Sequence, residues 1–353
     1  MNSLMLRRKL YLKRRALRLI GYNPNNYTSI FQKEAPSFVR SDLIENYSES
    51  HSTEMIDIRN GRLRGHYFEQ RDLYVIHDVI LEPKQGNIYT LSGHLIEEST
   101  SWSRLSQYNS FPWNFKGKLR KIDLEEAVYV TSNSYGHWLI EDLALTIKAM
   151  ERFPNSTILC LKNPPKYVSD FLASTMREVI YVDGPIQIKS VIMISKGEDS
   201  GWVHPQDFNQ LINYAPFKDA MSKGLPIKKV YASRVGLKRS PANENEIESL
   251  FRSMEYEIVH LEDFRLLEEV SLISGLTNLA GVHGSTFVNQ VWMNRGQKVI
   301  ELTNTNFWTE MNLDNLTETP INKQTFTYSG SVNAPIPIPT LKQFLSKSQD
   351  QSL

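Results

Sequence analysis

The chain has 353 residues, 41% hydrophobic and 22% charged, enough to bury a sizeable core in two domains of ordinary size or in one unusually large one. Cys160 is its single cysteine, which excludes an intrachain disulfide and a cysteine-based zinc site and suits a reducing compartment. No apolar run approaches the ~20 residues that cross a bilayer, so composition reads as a soluble, cytosolic protein and leaves the chemistry open.

The net charge of +1 hides an uneven distribution. Residues 1–20 carry seven basic side chains (Arg7, Arg8, Lys9, Lys13, Arg14, Arg15, Arg18) and no acidic one, leaving 33 basic against 39 acidic residues elsewhere. Wound as a helix, this segment lines up Leu6, Leu10, Leu17 and Ile20 and spreads the arginines over the other side, with Lys13 interrupting the apolar stripe. That is the pattern of a helix on an anionic membrane surface; a solvated, partly disordered tail is the plainer reading. The acidic remainder offers no second basic surface to follow a phosphate backbone, so no nucleic-acid partner is expected.

Residues 60–115 alternate short apolar and aromatic runs (LYVIHDVIL, NIYTLSGHLI) with Gly, Pro and Asn breaks, a small β-rich region. From about 124 strands and helices alternate as in a parallel sheet: AVYVT, then a helix in HWLIEDLALTIKAM with Ile140, Leu143, Ala144, Ile147 and Met150 on one face, then STILCLK, a further helix, EVIYV and VIMIS. Pro and Gly interrupt the pattern at APFKDAMSKGLP, which sets a domain boundary after residue 222. Beyond it KKVYAS is a strand, Asn243 with Glu246 makes a capping box for a helix carrying Ile247, Leu250, Phe251 and Met254, and YEIVHL, FRLLEEVSLIS, LTNLAGV, STFVNQVWM and KVIEL continue the alternation. Four strands with three crossovers predict an open parallel sheet, and the whole reads as α/β, two doubly wound domains facing one another.

Ligands of such sheets sit beyond the carboxyl ends of the strands. Polar residues fall at all four ends: Ser233 and Arg234, His260, His283 and Glu301. In GVHGSTFVNQVW, residues 281–292, glycines flank His283 and let the backbone approach a ligand; Gly284, Ser285 and Thr286 offer N–H groups at a helix N-terminus, a ready anion site. Arg234 and Arg239 share the neighbouring loop, where guanidinium groups grip phosphate oxygens by paired hydrogen bonds. An acidic residue at a strand end, Glu301, is placed to accept from ribose hydroxyls. Together these residues predict a nucleoside diphosphate pocket, although each alone has a structural explanation.

Ser233 and Arg234, then Arg239, Asn243 and Glu244, the run GVHGS from Gly281 with Asn289 beyond it, and VIEL ending at Leu302 resemble the motif series of glycosyltransferase family 61; YGHWLIEDL at 135–143 is similar too. The resemblance covers about residues 128–302 and implies a GT-B arrangement, a nucleotide-sugar donor, UDP-linked, in the C-terminal domain and inversion at the anomeric carbon. It adds Asn243, Glu244 and Asn289 to the donor-binding residues. Similar bacterial members act in capsule and other surface-polysaccharide synthesis, so a glycan or lipid-linked acceptor and a cytoplasmic chain peripheral to the inner face of the cell membrane are expected.

Departure of a sugar from a nucleoside diphosphate needs charge stabilisation, and the attacking hydroxyl needs a base. No Asp-x-Asp pair occurs in the chain, which favours helix N–H groups and arginines over a divalent ion, so neither metal nor cofactor is expected. The base is expected from the other domain: His137 and Glu141 share one helix face, a helix N-terminus keeps the imidazole neutral, and Glu141 and Asp142 are the alternatives. The segments are then 1–22, the basic N-terminus; 23–222, an acceptor-side α/β domain with its β-rich part; 223–310, the nucleotide-sugar-binding α/β domain; and 311–353, an extension free to return to the N-terminal domain. An inactive relative serving as a glycan-binding or assembly subunit and an NAD-linked oxidoreductase are the competing readings. No GxGxxG follows a strand, which argues against the second.

Overall fold

The computed structural model describes residues 46–47, 52–57, 62–67, 71–84, 86–91, 99, 119–132, 134–194, 205–294, 296–306 and 322–350. The basic segment 1–20 lies outside the described residues. Two units divide the chain: residues 1–168 with 175–200, and 169–174 with 201–353.

In the first unit β1 (Asn46–Tyr47), β2 (Ser52–Asp57), β3 (Arg62–Tyr67), β4 (Arg71–Glu82), β5 (Asn87–Thr90) and β6 (Arg120–Ile122) precede β7 (Ala127–Val130). A helical run follows as α1 (Tyr135–His137), a π-turn (Trp138–Asp142) and α2 (Leu143–Arg152), and then β8 (Thr157–Leu161), α3 (Lys166–Thr175), whose residues 169–174 belong to the second unit, β9 (Val179–Val182) and β10 (Ile186–Ile194). The sheet order is β1-β4-β10-β7-β8-β9, with β10, β7, β8 and β9 parallel and β4 antiparallel to β10 along its whole length. The β-rich stretch is divided: β3 pairs with β2 in a separate two-stranded sheet, whereas β4 and β5 continue the α/β sheet, and LYVIHDVIL is β4, whose Val75, Ile76, Val79, Ile80 and Leu81 are buried. β7 is buried at all four positions, as expected of a strand covered on both faces.

The second unit holds α4 (Pro205–Asn213), α5 (Ala215–Lys223), β11 (Lys229–Ala232), α6 (Glu244–Arg252), β12 (Glu257–Val259), a 3₁₀ turn (Leu261–Asp263), α7 (Leu266–Gly275), β13 (Asn278–Val282), a 3₁₀ helix (Ser285–Trp292), β14 (Lys298–Asn304), β15 (Asn322–Tyr328) and α8 (Ile338–Asp350). Its five strands are all parallel, in the order β12-β11-β13-β14-β15.

Three expectations need correction. The division falls near residue 200 instead of 222, because aromatic packing holds α5 to the second unit: Phe217 lies 4.9 Å from Trp292 and 5.3 Å from Tyr214, ring centre to ring centre. Residues 322–350, taken as an extension free to return to the N-terminal domain, instead supply a fifth strand and a helix of the second unit, whose Phe326, Tyr328, Leu341 and Leu345 pack with Tyr231, Phe251, Ile300 and Leu302. Asn243 does not cap α6 with its side chain. It accepts from the Ile336 N–H and donates to the Ile336 carbonyl, both at 2.8 Å, and so ties the start of α6 to the segment leading into α8.

Leu341 is fully buried in this core. Leu341→Ala should cost about 2–5 kcal/mol in denaturant unfolding through lost burial and the cavity left behind, whereas Lys342→Ala on the exposed side of α8 should stay within about 0.5 kcal/mol. Equal effects would mean that α8 does not pack as described.

Candidate functional site

A 2-1-3-4-5 parallel sheet reverses its winding between its first and third strands, and the crevice beyond their carboxyl ends is where ligands bind. Here those strands are β11 and β13. Ser233 and Arg234 leave the first, and His283 and Gly284 leave the second. Both turns are buried at their start, while Ser285 and Thr286 are half-buried and Val235 to Arg239 are exposed.

Arg234 is buried in this crevice. Its backbone N–H donates to Glu244 Oε1 at 2.9 Å and its Nη2 donates to the Lys238 carbonyl at 2.8 Å, while Nε meets no partner among the described residues. Burial, with the charge of Arg239 adding to it, lowers the pKa of this guanidinium. Glu244 is buried beside it and also accepts from the Tyr231 hydroxyl at 2.9 Å; burial raises its pKa although both contacts favour the carboxylate. The histidine-glycine motif now has a physical reason. A Cβ on Gly284 would come 2.3 Å from Arg234 Nη1, whereas the backbone there, φ 160° and ψ −164°, is extended and open to any residue. A side chain here would displace the guanidinium from where it sits, whereas the backbone conformation asks for no glycine.

His283 is buried, and its Nδ1 lies 2.5 Å from Glu301 Oε1. The other oxygen of Glu301 lies 3.1 Å from Lys323 Nζ. Burial alone would push the Glu301 carboxyl up, but the hydrogen bond from His283 and the charge of Lys323 bring it below the usual carboxylate range. Glu301, expected to accept from a ribose, has both oxygens engaged inside the unit and stands behind His283.

Other predicted residues are placed differently. Ser233 is buried and donates to Glu248 Oε1 at 2.6 Å, closing the β11 turn onto α6. Asn289 is 0% exposed and donates to Glu269 on α7 at 2.6 Å, an internal contact of the 3₁₀ helix and not a surface that a ligand reaches. Asn243 serves the chain tie already described. Arg239 is exposed with φ 65°, on the loop beside Arg234. His260 opens the 3₁₀ turn after β12 and lies 3.9 Å from Glu262.

In the first unit the helical run begins at Tyr135, and the Leu143 N–H reaches back to the Trp138 carbonyl, the five-residue spacing of a π-turn, a feature common at functional sites. The turn brings His137 Nδ1 into hydrogen-bond contact with Glu141 Oε1; the imidazole is 43% exposed and the carboxylate is buried. Asp142 is buried and accepts from the Thr131 hydroxyl at 2.8 Å, joining the end of β7 to the helix. Of the three candidate bases, only the imidazole reaches solvent. Cys160 is buried in β8 with its thiol pushed up to about 11 by burial, so it supplies no thiolate nucleophile near neutral pH. Among the described residues no three His, Cys, Asp or Glu side chains gather as a metal site, and no helix is long and apolar enough to cross a membrane.

The second unit is an open parallel sheet with a buried arginine at its switch point, the place where sheets of this kind bind their ligands. Residues 135–300 match the family model described as Glycosyltransferase 61, and a domain of that family makes the protein a glycosyltransferase. This sets aside the oxidoreductase reading. No curated protein matches the chain.

Two residues of the second unit went unrecognised in the sequence. Tyr231 reads there only as a strand aromatic. Lys323 sits in NKQTFTY, where alternation of polar residues with Phe326 and Tyr328 was the available strand signal.

The folded state holds Glu301 below its ordinary range, so this group stabilises the fold above the unfolded value of ~4.3, and the contribution fades as pH falls through the lower folded value. The stability gap between the wild type and Glu301→Gln should be widest near neutrality and close on acidification in unfolding curves taken across pH. A gap independent of pH would contradict the ion-paired assignment.

Proposed function

We propose that the second unit holds the diphosphate of a nucleotide sugar, UDP-linked, between the turn after β11 and the Gly284–Thr286 turn after β13. The observation that carries this is Arg234: a buried guanidinium with an unmet Nε–H, seated against a glycine at the switch point. A cation is costly to bury without a counter-charge, and a diphosphate would supply one. Thr286 and Ser285 present their amides at the start of the 3₁₀ helix, and Arg239 lies on the adjoining loop. Departure of the nucleoside diphosphate is then stabilised by amides and guanidinium groups; the lack of any Asp-x-Asp pair supports transfer that does not need a divalent ion.

Attack comes from a hydroxyl of a glycan or lipid-linked acceptor, with inversion. His137 is the general base: Glu141 accepts the Nδ1 proton, which leaves Nε2 to take the proton of the hydroxyl. Two successive α/β units, the second an open parallel sheet, support GT-B as the fold type. The basic, amphipathic residues 1–20 support attachment to an anionic membrane surface, on the cytoplasmic face where capsule or other bacterial surface polysaccharide is assembled.

Arg234→Ala should weaken UDP binding by ~1.5–3 kcal/mol, the range for hydrogen bonds to a charged group. His137→Ala should leave that affinity alone and lower turnover by ~10²–10⁴-fold, and transfer should persist in EDTA. Unchanged UDP affinity in folded Arg234→Ala removes the donor assignment; a dead Glu141→Gln beside an active His137→Ala makes the carboxylate the base. Deleting residues 1–20 should abolish salt-sensitive binding to anionic vesicles and leave transfer to a soluble acceptor intact; equal vesicle binding by both forms at low salt would rule out the membrane role.

A further inference from the structure

Three side chains form a line across β13, β14 and β15. Glu301 pairs in register with Gly281 on one side and Thr325 on the other. His283 and Lys323 each lie two residues from those partners, so all three belong to the same face of the sheet. Gly281 has no side chain, and the His283 N–H continues the ladder to the Leu302 carbonyl at 2.9 Å. The line is closed by contacts of 2.5 Å from His283 Nδ1 to Glu301 and 3.1 Å from Lys323 Nζ to Glu301.

A carboxylate that is 2% exposed stays ionised only where its charge is compensated. Lys323, half-buried beside it, supplies that charge from β15, beyond the span matched to the family. An ionised carboxylate can only accept, so the hydrogen between the two groups sits on His283 Nδ1, and the neutral ring keeps its lone pair on Nε2. If Glu301 became protonated it would donate instead, and the neutral imidazole would carry its hydrogen on Nε2. The direction of one buried hydrogen bond therefore decides whether His283 presents an acceptor or a donor at its outer nitrogen.

We propose that Lys323 is a positioning residue that sets the tautomer of His283 by keeping Glu301 ionised. It acts through the carboxylate and touches no substrate. Its influence on nucleotide affinity rests on the donor-site reading above, whereas its influence on the tautomer does not.

The test is ¹⁵N NMR of the full-length protein labelled at histidine, near neutral pH, with the His283 signals assigned by their loss in His283→Gln. In the wild type the neutral His283 ring should carry its hydrogen on Nδ1. In Lys323→Met Glu301 takes up a proton and the hydrogen moves to Nε2; Lys323→Arg, which keeps the charge, should restore the wild-type pattern. Lys323→Gln carries the same test if the methionine variant does not fold. A wild-type pattern in the folded neutral variants, or failure of arginine to restore it, overturns the proposal. UDP affinity is measured alongside and should fall about tenfold in Lys323→Met and return in Lys323→Arg, because a nucleotide hydroxyl or N–H can donate to Nε2 only while that nitrogen keeps its lone pair. If the tautomer switches as expected but the wild type binds no UDP, the positioning role stands and the donor reading fails. If UDP binds normally and the tautomer is unmoved, the donor reading stands and the role of Lys323 is refuted.

Discussion

A guanidinium buried against a backbone without a side chain is the constraint on which the arrangement of the second unit depends. Arg234 lies at the switch point against Gly284, which leaves room for the guanidinium where it sits, and Gly284 follows β13, whose Gly281 pairs with Ala232 at the end of β11. Glu244 holds the Arg234 backbone and the Tyr231 hydroxyl with one oxygen, while the other meets no partner among the described residues. Two buried groups with unmet polar atoms in one crevice are costly to the folded protein, and such costs are concentrated where a ligand offsets them.

Each unit carries a histidine whose Nδ1 meets a glutamate. In the second, His283 and Glu301 are both buried and a lysine holds the carboxylate; in the first, His137 is partly open to solvent and only Glu141 is buried. The difference in exposure separates their uses. A buried imidazole tied at Nδ1 suits a fixed contact, and a solvent-exposed imidazole held at one nitrogen suits proton transfer. In the first unit the four-residue spacing sets His137 and Glu141 side by side at the start of the helical run.

Much of the second sheet was legible in the sequence because its strands are short apolar runs punctuated by polar residues at their carboxyl ends, and Arg234, His283 and Gly284 sit at those ends. β15 was missed because NKQTFTY is mostly polar: as the outermost strand it has one buried row, Phe326 and Tyr328, and little apolar signal. Missing the strand meant missing Lys323. The boundary was misplaced because Pro216 and Gly224 mark the ends of α5, and local breaks of this kind say nothing about which core Phe217 joins. Asn243, Asn289 and Glu301 carry polar side chains at motif positions, yet their partners, Ile336, Glu269 and Lys323, come from segments that no local pattern connects to them.

The central claim, a nucleoside diphosphate at the β11–β13 switch point, is tested most directly by a crystal structure of the protein soaked with UDP. The account predicts both phosphates between Arg234 and the amides of Ser285 and Thr286, with the Arg234 Nε–H donating to a phosphate oxygen. Ordered UDP bound elsewhere, with Arg234 Nε still unpartnered, would contradict it.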